Sequence, residues 1–155
     1  MQNGIGAEVA FHFNVVDRHE HALRLLRKAM KSGARCQLLA PQDDLVALDQ
    51  GLWVRFIDEF LAHSVESDPR SVRDRSPLHL GPDAPEGVSV RVVLDGGDPA
   101  ALVTGAQRVI EIVGRDETDR ERARHRWRAY RQLGIEPLRH DLALKRVVQA
   151  DGTAD

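Results

Sequence analysis

Two textures alternate along this chain, and each predicts a different element. Short apolar runs rich in β-branched and aromatic residues read as strands, and stretches with apolar positions every three or four residues read as helices. Residues 8–16 (EVAFHFNVV) are the first such run. Asp17 then stands at an N-cap position with Glu20 three residues on, and Leu23, Leu26, Ala29 and Met30 mark a helix that stops at Gly33. Residues 35–40 give a second strand ended by Pro41, and Asp43-Asp44 opens a helix through Leu45, Leu48 and Leu52 to Trp53. Strand, helix, strand with short joints is a βαβ unit, which predicts that the two strands pair in parallel.

Residues 60–63 read as a short strand. From 64 to 87 the texture changes to Ser, Asp, Arg and four prolines, with only 77–80 strand-like, so a long surface loop with one short strand is expected. Residues 88–94 (VSVRVVL) are a strong strand, 95–99 (DGGDP) a turn, and Leu102, Val109 and Ile112 fit a further helix. The domain is expected to span 1–142, with the chain past Leu138 running into a tail that frays over 143–155. The predicted fold is α/β: a single Rossmann-like three-layer domain, its mainly parallel sheet covered by helices on both faces.

The densest pattern lies between Thr118 and Gly134. Thr118 with Glu121 reads as a capping box, and Gly134 stands where a C′ glycine would close the last turn. Arg120, Arg124, Trp127 and Arg131 recur at i, i+4, i+7 and i+11 and share one helix face, while Ala123, Trp127 and Tyr130 form an apolar edge. Six arginines stand against one glutamate from Arg120 to Arg131, more than solubility requires. A charge run is ordinarily a solvated helix face. An aromatic set among guanidinium forks also suits a phosphate chain or a carboxylate-bearing peptide.

Composition narrows the options. The chain has 155 residues and a formal net charge of −2, so the arginines are a local patch on a nearly neutral body and not the basic coat of a non-specific nucleic-acid binder. One cysteine, Cys36, allows no internal disulfide, and no run of apolar residues is long enough to span a membrane. A cytoplasmic protein is expected.

The sequence carries no catalytic constellation. There is no phosphate-binding loop: no G-x-x-x-x-G-K-[ST] occurs, and the first strand is followed by Val15-Val16-Asp17-Arg18, without glycine. His12, His19 and His21 lack the i, i+4 spacing of a helical zinc pair, and Cys36 reads as a small buried hydrophobe. No metal, cofactor or catalytic residue is predicted. What remains is the arginine helix and an aromatic group, Trp53, Phe56 and Phe60, in a polar-flanked segment. Such aromatics are most often core, but they are also what protein interfaces use as anchors.

Several of these segments together resemble the chi subunit of bacterial DNA polymerase III, an accessory subunit of the clamp-loader assembly. The resemblance rests on Phe11-His12-Phe13-Asn14-Val15, on Leu48-Asp49-Gln50-Gly51-Leu52-Trp53, and on Phe60-Leu61-Ala62-His63, where the family usually has proline at Ala62. It continues through 111–116 (EIVGRD), 124–131 (RHRWRAYR) and 139–142 (RHDL), so it covers 11–142. It implies a non-catalytic subunit of a DNA-directed DNA polymerase, a nucleotidyltransferase holoenzyme. It further implies that the acidic C-terminal tail of single-stranded-DNA-binding protein is bound by Val113, Arg120, Arg124, Trp127 and Arg139. Trp127 then stands for a tyrosine seen in some members. Trp53 and Phe60 match the family's contact with the psi subunit of the clamp loader. Single-stranded DNA would be met only indirectly, through its binding protein. Two other readings stay open: a domain that binds single strands directly through the arginine helix, and a degenerate Rossmann-type enzyme.

Overall fold

The computed structural model describes residues 6–56 and 58–143. Seven strands form one sheet in the order β3-β4-β2-β5-β6-β1-β7, and every pairing is parallel. The strands are β1 (Glu8–Val15), β2 (Cys36–Leu39), β3 (Ser64–Val65), β4 (Leu78–Leu80), β5 (Val90–Val93), β6 (Arg108–Gly114) and β7 (Leu138–Asp141). Between them run α1 (Arg18–Lys31), α2 (Gln42–Arg55), α3 (Arg70–Arg75), α4 (Pro99–Leu102) and α5 (Glu117–Gln132). The fold is the expected α/β architecture.

Two apolar layers hold the sheet. On one face Leu23 and Leu26 of α1 and Leu45, Leu48 and Leu52 of α2 pack with Leu38, Val90, Val92, Ile110 and Ile112. On the other, Leu102 of α4 and Ala123 and Tyr130 of α5 pack with Val9, Phe11, Val93, Val109 and Val113. Each fully buried side chain of this size stabilises the fold by about 1.5–3 kcal/mol. Cys36 lies inside the first layer, and burial pushes its thiol up to about 11, which leaves it an inert hydrophobe.

Several sequence expectations need correction. The helix predicted through Leu102, Val109 and Ile112 is one turn of helix, α4, followed by Gly105 at φ 76° and then strand β6. β6 is buried on both faces, so it lacks the alternation that marks a half-exposed strand, and its Val109-Ile110-Ile112-Val113 spacing imitates a helical one. β1 and β2 are parallel but do not pair, because β5 and β6 lie between them. Residues 60–63 are not a strand; pairing begins at Ser64.

The 64–87 stretch is not one loop with a single strand. It holds β3, α3 and β4, tied by the Ser64 hydroxyl to His79 Nδ1 at 2.8 Å and by His79 Nε2 to Glu66 at 2.7 Å. Residues 138–141 are not tail but the edge strand β7, which pairs with β1 from Ala10↔Leu138 to Phe13↔Asp141. The frayed tail predicted for 143–155 lies, from 144 on, outside the described residues.

Candidate functional site

The candidate face is built where β1, β7 and α5 meet. Helix α5 is started by Asp116, whose carboxylate accepts from Asp119 N at 2.7 Å, and not by the predicted Thr118 capping box. It is closed by Gly134 at φ 85°, with Ile135 N donating back to the Tyr130 carbonyl at 3.1 Å, so the predicted stop is correct.

The arginines of α5 divide into two rows. Arg122 and Arg126 turn toward the sheet. Arg126 makes two parallel bonds to Glu111 of β6, at 2.8 and 2.7 Å, and the Tyr130 hydroxyl donates to the same carboxylate at 2.6 Å. Burial pushes the Glu111 carboxyl up, against the pull of Arg126, and the Arg126 guanidinium is in turn held charged by Glu111. Arg122 pairs with Asp119 and Asp95. These contacts fix the rotation of α5 about its axis.

The second row, Arg120, Arg124 and Arg128, is exposed and lines a groove of about 550 Å³ with Phe13, Asn14, Ala123, Trp127 and Arg139. Trp127 forms the apolar wall. Its ring lies 5.0 Å from that of Phe11 and 6.2 Å from that of Phe13, which anchors it to the core beneath α5. Arg139 stacks over Phe13, 4.5 Å from the ring centre.

Asn14 sets the far end of the groove. The β1–β6 register shifts between His12 and Val15, and Asn14 takes φ 62°, a left-handed conformation uncommon outside glycine but tolerated by asparagine. Its amide donates to Asp141 of β7 at 2.8 Å, and its carbonyl accepts from Arg120 at 2.9 Å. The bulge thus aims Arg120 along the groove.

The four guanidiniums are not equivalent. Arg124 already bonds Glu117 at 2.6 Å and Glu121 at 2.7 Å. Those bonds, Glu121 first, hold its own pKa above the ordinary arginine value, and they hold Glu121 below that of a free carboxylate. Arg120, Arg128 and Arg139 have no carboxylate partner among the described residues. Three cations that no described carboxylate meets, around an aromatic wall, can take two or more carboxylates and an apolar side chain at once.

A second exposed surface lies on α2 and the segment after it. Trp53 is 53% and Phe60 74% exposed, their rings 5.6 Å apart, and the His63 ring lies 5.0 Å from Trp53. Val54 and Val46 on the same helix are also open to solvent. α2 is therefore apolar on its outer as well as its inner face, unlike an ordinary surface helix.

At the carboxyl ends of β1 and β6, which are followed by α1 and α5 on opposite faces of the sheet, lies a place where a parallel sheet could take a nucleotide. It is filled from within. Arg18 donates to the Leu94 carbonyl at 3.0 Å and pairs with Asp119 at 3.2 Å. The Gly114 amide that could meet a phosphate donates instead to Asp119 at 3.0 Å. With the Asp119 amide taken by the Asp116 carboxylate, and Arg18 and the Gly114 amide taken by the Asp119 carboxylate, the donors that could hold an anion there are already occupied.

A family model for the DNA polymerase III chi subunit, HolC, matches residues 7–137, most of the chain. The chain belongs to the DNA polymerase III chi subunit family. As a chi-family protein it is an accessory component of the polymerase III complex in DNA replication. No individual curated protein matches it significantly. Among the described residues no helix is long and apolar enough to cross a membrane, and no group of three or more His, Cys, Asp and Glu could hold a metal ion.

Of the predicted site residues in this chi-family chain, Arg120, Arg124, Trp127 and Arg139 meet in the groove. Val113 does not. It is 4% exposed within the cluster on which Trp127 packs, so its place is behind the wall and not on it. Arg131 of the predicted stripe pairs with Glu136, outside the groove. Arg128, Phe13 and Asn14 were not predicted. Arg128 was detectable as the third member of the i, i+4, i+8 row from Arg120, but the bulge that brings Asn14 to Arg120 leaves no mark in sequence spacing. Trp53 and Phe60 come together on one face, as a shared contact requires.

Proposed function

We propose that this protein is the adaptor of its polymerase assembly, with no chemistry of its own. The α5 groove takes the acidic C-terminal tail of single-stranded-DNA-binding protein, and the Trp53–Phe60 face takes the psi subunit of the clamp loader. The observation that carries this reading is the set of three guanidiniums around the Trp127 wall, Arg120, Arg128 and Arg139, that meet no carboxylate among the described residues. Such a groove needs a ligand with several carboxylates and an apolar side chain, which an acidic peptide end supplies. Single-stranded DNA is then reached only through the protein that coats it, within the cytoplasm where replication proceeds.

Isothermal calorimetry with a synthetic tail peptide tests the first half. Saturable binding is expected, weakening as salt is raised, because exposed charges are screened over about 8 Å at physiological ionic strength. A peptide with its acidic residues replaced by amides should not bind. Tight binding of bare single-stranded DNA at physiological salt, with none of the peptide, would favour the direct DNA-binding reading.

A further inference from the structure

We infer that a second pocket, between α2 and β3, is where the partner on the aromatic face is selected, and that it takes a lysine or arginine side chain of that partner. The inference rests on the Trp53–Phe60 face being a protein contact. The pocket has a volume of about 280 Å³ and is lined by Leu45, Val46, Val65 and Leu80, with Asp49 and Glu66 on its rim. It is continuous with the aromatic face. His63 packs its ring 5.0 Å from Trp53 and places Nε2 2.6 Å from Asp49 Oδ1.

The charge pattern decides what fits. Several carboxylates of this fold are met by arginines: Glu20 by Arg55, Glu59 by Arg27, Glu111 by Arg126, Asp119 by Arg18 and Arg122. Asp49 and Glu66 have no lysine or arginine partner among the described residues; Asp49 meets His63, and Glu66 meets His79 and the Asp83 amide. Asp49 Oδ2 and Glu66 Oε1 accept no bond from the described residues. Two carboxylates with free oxygens over an apolar floor suit one occupant: a long stem that packs on Leu45, Val46 and Val65 and ends in a cation. An acidic or wholly apolar partner would cover the outer oxygens of both carboxylates without giving them a donor, so the pocket also discriminates against it. The two exposed sites of the molecule thus prefer ligands of opposite charge.

The test uses the full-length protein and a library of random short linear peptides, with the α5 groove blocked by excess acidic tail peptide. The expected peptides carry lysine or arginine a few residues from a large apolar anchor. Their affinity should fall about tenfold or more in Asp49→Asn/Glu66→Gln, the loss expected for charge-assisted bonds. Val46→Arg, which supplies the pocket with its own cation, should cause a similar loss, and Trp53→Ala should abolish binding. Peptides lost with Trp53→Ala but indifferent to Val46→Arg and to the neutral pair would overturn the pocket while leaving the aromatic contact intact. Peptides lost with Val46→Arg but indifferent to Trp53→Ala would keep the pocket and overturn the shared contact. Failure to enrich basic peptides overturns the inference. So does self-association in the ultracentrifuge that Val46→Arg abolishes, which would give the pocket to a second copy of this chain.

Discussion

The α5 groove and the α2 face are both open to solvent, yet they are built on opposite principles. The groove is a set of charges held by a rigid frame: Arg126 and Glu111 lock the helix from below, Trp127 stands on Phe11, and the Asn14 bulge aims Arg120. The α2 face is a set of apolar side chains that an isolated domain would bury, held at its margin by solvent-accessible ion pairs. Among the described residues, one surface presents cations without anions and the other aromatics without cover. Function is read from what each leaves unsatisfied.

The largest effect should come from the frame and not from either surface. Arg126→Ala leaves the Glu111 carboxylate buried with its two guanidinium bonds gone, a loss of about 3–5 kcal/mol for a broken buried pair. Urea unfolding should show a large fall in midpoint, and both contacts should weaken together. An unchanged midpoint would mean that Glu111 takes a proton or water at little cost and that α5 is held by its apolar edge alone.

Trp53→Ala sharpens the comparison from the other side. Because the ring is half exposed, the unfolding midpoint should move by less than the roughly 3–5 kcal/mol expected for a core aromatic. Partner binding on that face should fall by at least about 2 kcal/mol, as for an interface anchor. Affinity for the tail peptide should not change. Loss of both contacts with a large fall in midpoint would make Trp53 a core residue instead.

Within the groove, Arg128→Ala should cost about 1.5–3 kcal/mol of tail binding, as for a charge-assisted hydrogen bond to a free cation. Arg124→Ala should cost less, since Glu117 and Glu121 already occupy that guanidinium. The converse also holds. Glu117→Gln with Glu121→Gln frees Arg124 and should raise peptide affinity about twofold, in the range of an exposed ion pair. Calorimetry on the three variants orders them, and an Arg124 loss larger than that of Arg128 would reverse the assignment.

Much of this was legible in the sequence, for identifiable reasons. Strands β1, β2 and β5 are short apolar runs bounded by turn residues, and α1 carries its cap and its stop in Asp17 and Gly33, so local signals sufficed. β6 was mistaken because a strand buried on both faces has no periodicity of its own. β7 was missed because its residues are polar and it exists only by pairing with β1. The sheet order could not be read either, since the wide separation of β1 and β2 is a tertiary choice. In the site, the arginine stripe was visible but its division into two rows was not, for that depends on where Glu111 and Asp95 sit. Val113 was placed in the groove through the family resemblance, and burial removes it from the surface.

The smallest effect concerns what holds the aromatic face in place. Glu59, the neighbour of Phe60, is bonded by Arg27 at 2.5 and 2.7 Å and by Lys31 at 3.0 Å, which ties this segment to α1. Arg27 first and Lys31 second draw its carboxyl down from 4.5 to about 2. A carboxylate whose folded pKa is depressed adds stability that is fully present above its unfolded value and lost as pH falls through the folded one. The contribution of Glu59 should therefore be constant from neutral pH down to about 5 and drain away toward about 2. All three partners are solvent-accessible, so screening keeps it small. Unfolding of the wild type and of Glu59→Gln across this range should give curves that lie slightly apart at neutral pH and meet at the acid end. A separation that grows on acidification would mean that Arg27 and Lys31 repel the folded segment once Glu59 is neutral, and that the aromatic face is held by Phe56 under Arg27 instead.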